Sequence, residues 1–396
     1  MSDAAPSNVS RDDFIARARD MIPELRARAR EAEDLRRLPD ATNAAFHAAG
    51  LYRLHQPRRY GGYEMDFHLQ IDVAAEIGRG CGSSAWVQSI VASHSWVHGM
   101  LGEDAQDEVW GKNPEAVIAS ASPARGSSVT RVEGGLVVDG RWSFASGVDH
   151  CAWTHLNIFV PTEPGKPVQH YFAAVPATDY TIVDDWHVAG MRGTGSKSID
   201  FKQAFVPQHR ILDTHACVGG PTLGSALHGG ALFRMPLFAL FGHGIVGPAV
   251  GMALGALDAV VEPMKGRRSA AGVAIADQPT VQVRLAEASG EIEAARGLLK
   301  AASDEGTALA VAGVVPPLEQ RVRWRRNCAF AAQLCLRAAE RLYPLAGANA
   351  LAEASPFQRA FRDVHAACAH IALTWDVQAA NYGGVLLGNP STDPKL

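Results

Sequence analysis

Little in this chain is set aside for sulfur chemistry or for one sign of charge. Its six cysteines among 396 residues (Cys81, Cys151, Cys217, Cys328, Cys335, Cys368) form no C-x-x-C pair and follow no regular spacing. They read as reduced thiols in a cytoplasmic protein, with neither a disulfide framework nor a zinc site. Lys and Arg total 37 against 41 Asp and Glu, a net charge of −4 without a basic tail or an acidic block. That balance excludes a nucleic-acid binder working by bulk electrostatics and a protein held on anionic membranes. Arg17, Arg19, Arg26, Arg28 and Arg30 crowd the first thirty residues, but acids are interleaved and no apolar stretch follows, so no targeting segment is expected. One uncharged run, Met235 to Leu257, is long enough to span a bilayer. It contains Pro236, Pro248, His243 and five glycines, and a buried core helix with an irregular lead-in suits it better. H-E-x-x-H, G-x-S-x-G and Walker A sequences are all missing, which removes the commonest metal, hydrolase and P-loop chemistries.

What is present is an ordinary globular composition, 47% hydrophobic and 20% charged, in a length that suggests two to three domains at about 150 residues each. Three textures follow one another. From Arg11 to Trp110 apolar residues recur at helical spacing, with Pro39-Asp40 opening one helix, Gly50 stopping it, and a long apolar helix starting near Leu69. From Val117 to Leu212, segments rich in Val, Thr, Phe and Trp predict strands at Ser128–Val132, Leu136–Phe144, Thr154–Val160 and His170–Val175. Gly134-Gly135 marks a hairpin and Asp139-Gly140 a bulge or turn. From Ala231 the pattern is helical again, at Val281–Leu299, Leu318–Tyr343 and Pro356–Ala380. Gly247, Gly251 and Gly255 give one helix a flat face that a neighbouring helix can approach. The expected architecture is α+β: an N-terminal helical domain (1–114), a central antiparallel, barrel-like β domain (115–225) and a C-terminal four-helix bundle (226–396).

Several constellations could carry chemistry. Gly242-His243-Gly244-Ile245-Val246-Gly247 fits G-x-G-x-x-G, but the next stretch stays helical and no second strand with an acidic end follows, so a dinucleotide site is rejected. Arg141-Trp142-Ser143-Phe144-Ala145-Ser146-Gly147 closes a strand into a turn, where aromatics can cover a planar ring and a hydroxyl can reach its polar edge. Gly190-Met191-Arg192-Gly193-Thr194-Gly195-Ser196 offers close backbone approach and hydroxyls to an oxygen-rich ligand. His94 lies in an apolar helix and His370 in the last one; a lone histidine in such a place is more often a satisfied core residue than a catalyst.

Taken in order, these residues resemble the acyl-CoA dehydrogenase fold. Phe46-His47-Ala48-Ala49-Gly50-Leu51-Tyr52 with Pro57-Arg58-Arg59-Tyr60-Gly61-Gly62 is similar to its N-terminal pattern. Arg268, Gly272, Val281, Gln282, Leu285 and Ala286 resemble its Arg…Gly…Val-Gln…Leu-Ala sequence, Leu345-Ala346-Gly347-Ala348-Asn349 its later flavin loop, and Arg362-Asp363 its Arg-Asp pair. Where many members carry a catalytic Glu this chain reads His370-Ile371-Ala372-Leu373, and in Leu254–Val261 the only acid is Asp258. Without the base, the resemblance narrows to the flavin-dependent monooxygenases of this fold, the oxygenase components of two-component aromatic hydroxylases, matched by His94, Ser146-Gly147 and His370.

The resemblance implies reduced flavin (FMNH₂ or FADH₂) and O₂ as co-substrate, with oxygen delivered to a phenol- or indole-type substrate through a flavin C4a-hydroperoxide. It implies catalytic roles for His94, Ser146 and His370, one histidine on the substrate side and one on the peroxide side. Trp142, Phe144, Ser146, Thr194, Ser196, Arg268, Gly347 and Asn349 would bind the cofactor, and Trp86, Trp96, Met235, Phe238 and Trp375 would line the substrate pocket. No metal is expected. A separate NAD(P)H:flavin reductase would supply the flavin, and a homotetramer, packed through the C-terminal helices with Gly247, Gly251 and Gly255 permitting close helix contacts in that bundle, would complete each site from a neighbouring subunit. An acyl-CoA dehydrogenase with a displaced base, an N- or S-oxygenating member and a silent flavin carrier remain alternatives.

Overall fold

A computed structural model describes residues 9–160, 168–269 and 271–396. The N-terminal helices are α1 (Arg11–Asp20), α2 (Ile22–Leu35), α3 (Asp40–Ala48), α4 (Phe67–Gly80), α5 (Gly82–His98) and the short α6 (Glu103–Gln106). Ser10 caps α1 through a reciprocal box with Asp13, and Asp66 caps α4 by accepting from the Leu69 N–H. α5 is buried along its whole length, so its sequence shows no amphipathic stripe.

The middle of the chain forms β1 (Ile118–Pro123), β2 (Ser128–Val132), β3 (Gly135–Ala145), β4 (Trp153–Val160), β5 (Gln169–Pro176), β6 (Thr181–Val183), β7 (Lys197–Pro207) and β8 (Ile211–Asp213). They order as β6-β7-β3-β1-β4-β5-β8, with β2 paired to β3. The four strands expected from alternation lie where the pattern put them. Gly134, at φ +78°, turns the β2–β3 hairpin, and a register shift between Val138 and Gly140 makes the Asp139-Gly140 bulge. One expectation is corrected: the domain is not wholly antiparallel, because β1 pairs with β4 in parallel register, Ile118 opposite Trp153. β1 and β4 are separated by the β2–β3 excursion, which supplies the crossover that a parallel pair needs.

The C-terminal part holds α7 (Leu223–His228), α8 (Leu237–Met264), α9 (Pro279–Val311), α10 (Leu318–Ala346), α11 (Pro356–Cys368) and α12 (Trp375–Leu386). α8 is the only described helix long and apolar enough to cross a membrane, and most of it is buried inside the protein. Its glycine face corrects a second expectation. Gly247, Gly251 and Gly255 do not meet a helix of the C-terminal bundle; they pack on α4. A Cβ on Gly251 would stand 2.5 Å from the Ala75 carbonyl oxygen and 2.7 Å from Gly78 Cα, and one on Gly255 would stand 3.2 Å from the Arg79 oxygen. The flat face therefore joins the N-terminal helices to the bundle. The run Pro356–Ala380 is also not one helix: it breaks after Cys368, and His370 caps a short turn (Ile371–Leu373) between α11 and α12.

Candidate active site

Four elements meet beside one end of α5. Trp86, Ile90, His94 and His98 are four residues apart, so they line one face of that helix, with about 12 Å of rise from Trp86 to His94. At the Trp86 end lies the turn after β3. Phe144 takes a positive φ of 65°, unusual for a bulky residue, where β3 slips register against β7. The kink points Phe144 outward, 67% exposed, and leaves Ser146 buried. Gly147 follows at φ +73°, and a Cβ there would lie 2.7 Å from Val87 on α5, so only glycine lets the turn press against the helix.

The hydroxyls at this turn form a directional chain. The Thr194 hydroxyl donates to the Met191 carbonyl (3.0 Å) and so accepts from Ser196 (2.7 Å); Ser196 accepts from Ser146 (2.7 Å), and Ser146 accepts from the Trp86 indole N–H (3.0 Å). His370 completes this end, its ring centroid 5.9 Å from that of Trp86. The break between α11 and α12 is what brings it there, as a half-buried cap and not as a helical residue. Its Nδ1 accepts from the Ala372 N–H (3.1 Å), so in the neutral ring Nε2 carries the proton and can donate. Burial, with Arg325 and Lys395 nearby, holds its pKa down to about 4.

His94 has the opposite polarity. Its Nδ1 donates to the Ile118 carbonyl (3.1 Å), which leaves Nε2 a bare acceptor, fully buried and without a partner. Burial lowers its pKa to about 4. Around it stand Phe241 on α8 and His155 on β4, each with its ring centroid at 5.8 Å. Phe238 stacks on Phe172 at 5.8 Å, and the Lys395 ammonium sits 4.8 Å above the Phe238 ring. A buried unpaired imidazole nitrogen and a half-open set of hydroxyls beside an indole are what a flavin ring and an adjoining aromatic substrate would satisfy.

Not every expected residue joins this site. Trp142 is enclosed in the β core, its indole donating to the Asn157 carbonyl (3.1 Å). Trp96 donates to the Leu232 carbonyl, and with Met235 it belongs to the apolar cluster that holds Phe172 and against which Phe238 and Phe241 pack, so these two stand behind the aromatic wall; Trp375 packs on Phe330. Arg268 lies on an exposed hairpin and donates to the Gly272 carbonyl (2.7 Å). Gly347 ends α10 at φ +64° with open space around it, and the side chain of Asn349, in the turn that follows, is outside the described residues. The glycines of the 190–196 loop serve packing: a Cβ on Gly190 would strike the Arg362 carbonyl at 2.3 Å, and one on Gly193 would meet Ala32 at 2.8 Å. Asp258 forms ion pairs with Arg79 and Arg26 at 3.0 Å each, so it braces α8 and is not placed as a base. Among the described residues no cluster has the makings of a metal site.

Sequence reasoning missed His155, His98, Phe172, Phe241 and Lys395. The i, i+4 spacing of His94 and His98 was a visible signal for one of them. His155 is one inward position on a strand and carries no local mark.

Residues 11–112 match the family model described as acyl-CoA dehydrogenase, N-terminal domain, and residues 243–375 the one described as acyl-CoA dehydrogenase, C-terminal domain. The chain is 38% identical over 375 residues to the flavin-dependent monooxygenase oxygenase subunit HsaA of Rhodococcus jostii, covering 94% of this chain and 98% of that one. It is 33% identical over 387 residues to the oxygenase component of an FADH₂-dependent resorcinol hydroxylase from a Rhizobium species, covering 95% and 94%. The crystal structure of a 3-HSA hydroxylase from a Rhodococcus species superposes with a TM-score of 0.92 at 37% identity, covering 98% of this chain and 100% of that one.

Proposed function

The chain belongs to the flavin-dependent monooxygenase oxygenase subunits built on the acyl-CoA dehydrogenase fold, and from that premise we propose how its residues divide the work. It is the oxygenase component of a two-component system: a flavin reductase supplies reduced flavin, O₂ is the co-substrate, and a small aromatic compound is hydroxylated. The opposite polarities of His94 and His370 carry the division of roles. His94 offers a bare nitrogen and takes the proton of the substrate hydroxyl, making the ring electron-rich for attack on oxygen. His370 offers an N–H and serves the oxygen side as a donor.

The residues fit a flavin at the Trp86 end, with Ser146, Ser196 and Thr194 toward its polar edge. Reduced flavin bound there supplies the electrons that activate O₂, so that one oxygen atom enters the ring and the other leaves as water. Ser146 already gives its proton to Ser196 and therefore keeps a free lone pair, which suits an N–H on the reduced ring. The apolar walls around His94 keep water from the reacting oxygen. Rapid mixing of the reduced-flavin complex with O₂ and an aromatic substrate tests this reading, with hydroxylated product and hydrogen peroxide both measured. The Ser146→Ala variant should still bind reduced flavin within a few-fold and yet release more peroxide per turnover, because one hydrogen bond is worth on the order of 1 kcal/mol. Unchanged coupling in that variant would place the flavin edge elsewhere.

We also propose a homotetramer in which a second copy completes each flavin site. Two observations support it. Arg268 is exposed and, among the described residues, its side chain is bonded only to the carbonyl of Gly272 in its own hairpin, and Gly347 faces open space. Ile371, just before α12, is 82% exposed, and Leu386 and Leu387, at the far end of that helix, are 63% and 84% exposed, apolar side chains that association would cover. Light scattering should give four times the chain mass, and a fully active monomer would overturn this assembly.

A further inference from the structure

The hydrogen bonds around three buried histidines fix which nitrogen of each is bare. His98 Nε2 lies 3.0 Å from the Ala105 carbonyl, which can only accept, so the proton sits on Nε2 and Nδ1 is an acceptor. His155 Nε2 lies 3.0 Å from that Nδ1 and must donate to it. His155 Nδ1 is then a lone pair with no donor, in a side chain that is fully buried. The neighbouring His94 presents its Nε2 in the same condition, and the two rings meet edge to face at 5.8 Å. Phe241 lies beside His94 and Phe172 beside His155, so both bare nitrogens stand among aromatic side chains between α5, α8 and the sheet. Burial keeps all three imidazoles neutral near pH 7, with His155 well below its ordinary pKa and also repelled by its two neighbours.

Two buried acceptors facing no donor call for a ligand that brings two. A single phenolic hydroxyl carries one proton and can satisfy only one of them. Resting on the oxygenase reading above, we propose that His94 and His155 together select an aromatic substrate with two hydrogen-bond donors, as in a dihydroxybenzene or an aminophenol. His98 is the positioning residue that holds the His155 tautomer. In this arrangement His94 takes the proton that makes the ring reactive, and His155 accepts from the second donor and sets the ring's orientation before oxygen is delivered.

The test is anaerobic equilibrium dialysis of the reduced-flavin enzyme with phenol, catechol, resorcinol and hydroquinone. At least one dihydroxybenzene should bind about tenfold or more tighter than phenol, because phenol leaves a buried acceptor unpaired. His155→Phe should bring that ligand down to the affinity of phenol while leaving phenol itself within about twofold. His155→Gln, whose amide can donate to His98 and still present an oxygen, should restore part of the preference. If the phenylalanine variant does not fold, His98→Phe reads the same ratio, since it frees the His155 tautomer and should lower the preference. A wild-type protein that binds phenol as tightly as all three dihydroxybenzenes overturns the proposal, as does a ratio unmoved in the variants. Exposing the same complexes to O₂ separates the two readings. A preference without any hydroxylated product sinks the oxygenase reading alone, whereas hydroxylation without a preference sinks only the two-donor site.

Discussion

Replacing His94 by asparagine slows hydroxylation by about 10²–10⁴-fold, the usual cost of losing a general base, while reduced flavin continues to consume O₂ at the wild-type rate. The reason lies in the ring's two nitrogens. Nδ1 is committed to the Ile118 carbonyl, so Nε2 alone faces the buried space, and it has no other partner. Burial penalises the imidazolium and holds its pKa down to about 4. A phenolate formed beside it supplies the opposite charge and offsets that penalty, so the imidazole becomes a useful base only when a phenol is in place. Asparagine keeps an acceptor but cannot take the proton. The measurement is product formed against O₂ consumed in single-turnover mixing. A packing role predicts something different: a lower melting temperature, about 1 kcal/mol of stability lost, and unchanged coupling. His370→Asn should not mimic His94→Asn, because His370 presents a donor; equal effects on the two would remove the division of roles.

Acid destabilises this protein well before its ordinary surface carboxylates are protonated, and the loss begins near pH 6.5. Burial lowers His55, His94, His98, His243 and His370 to about 4, against 6.5 for an ordinary histidine. Between those values the unfolded chain binds protons that the folded chain refuses, so stability is fully present above pH 6.5 and falls as pH drops toward 4. Each independent group is worth at most on the order of 3 kcal/mol, against a total stability of about 5–15 kcal/mol. His98 and His155 share a hydrogen bond and titrate as a pair, with His94 beside them, and Arg325 and Lys395 face His370. One group works the other way. Asp363 is buried against the Met191 N–H with its pKa pushed up to about 6, so the folded state binds its proton first and gains stability as pH falls from 6 toward 4. Five imidazoles outweigh one carboxyl. Melting temperature should be level from pH 8 to 6.5 and drop by about 10 °C or more by pH 5. A level profile down to pH 4.5 would mean that these histidines are not buried in the folded protein.

The sequence by itself determined the elements and the chemistry they could carry. Four strands lay at their expected positions because alternation and the Gly134 turn are local signals, read within a few residues of chain. The departures from the base-bearing pattern at His370–Leu373 and the Ser146-Gly147 turn were likewise legible as residues in order. Tertiary structure decided everything that depends on a partner. A glycine face announces that something comes close, but only the fold shows that Gly251 meets Gly78 on α4 and not another helix of the C-terminal bundle. The break after Cys368 has no proline to mark it and reads as helix, yet it is what carries His370 to Trp86. Most of all, a histidine's letter does not say which nitrogen is bare. That depends on the carbonyls of Ile118 and Ala105, which lie 24 and 7 residues away along the chain, and on a strand histidine 57 residues beyond His98. Proton positions follow from hydrogen-bond partners, and those partners exist only once the chain has folded.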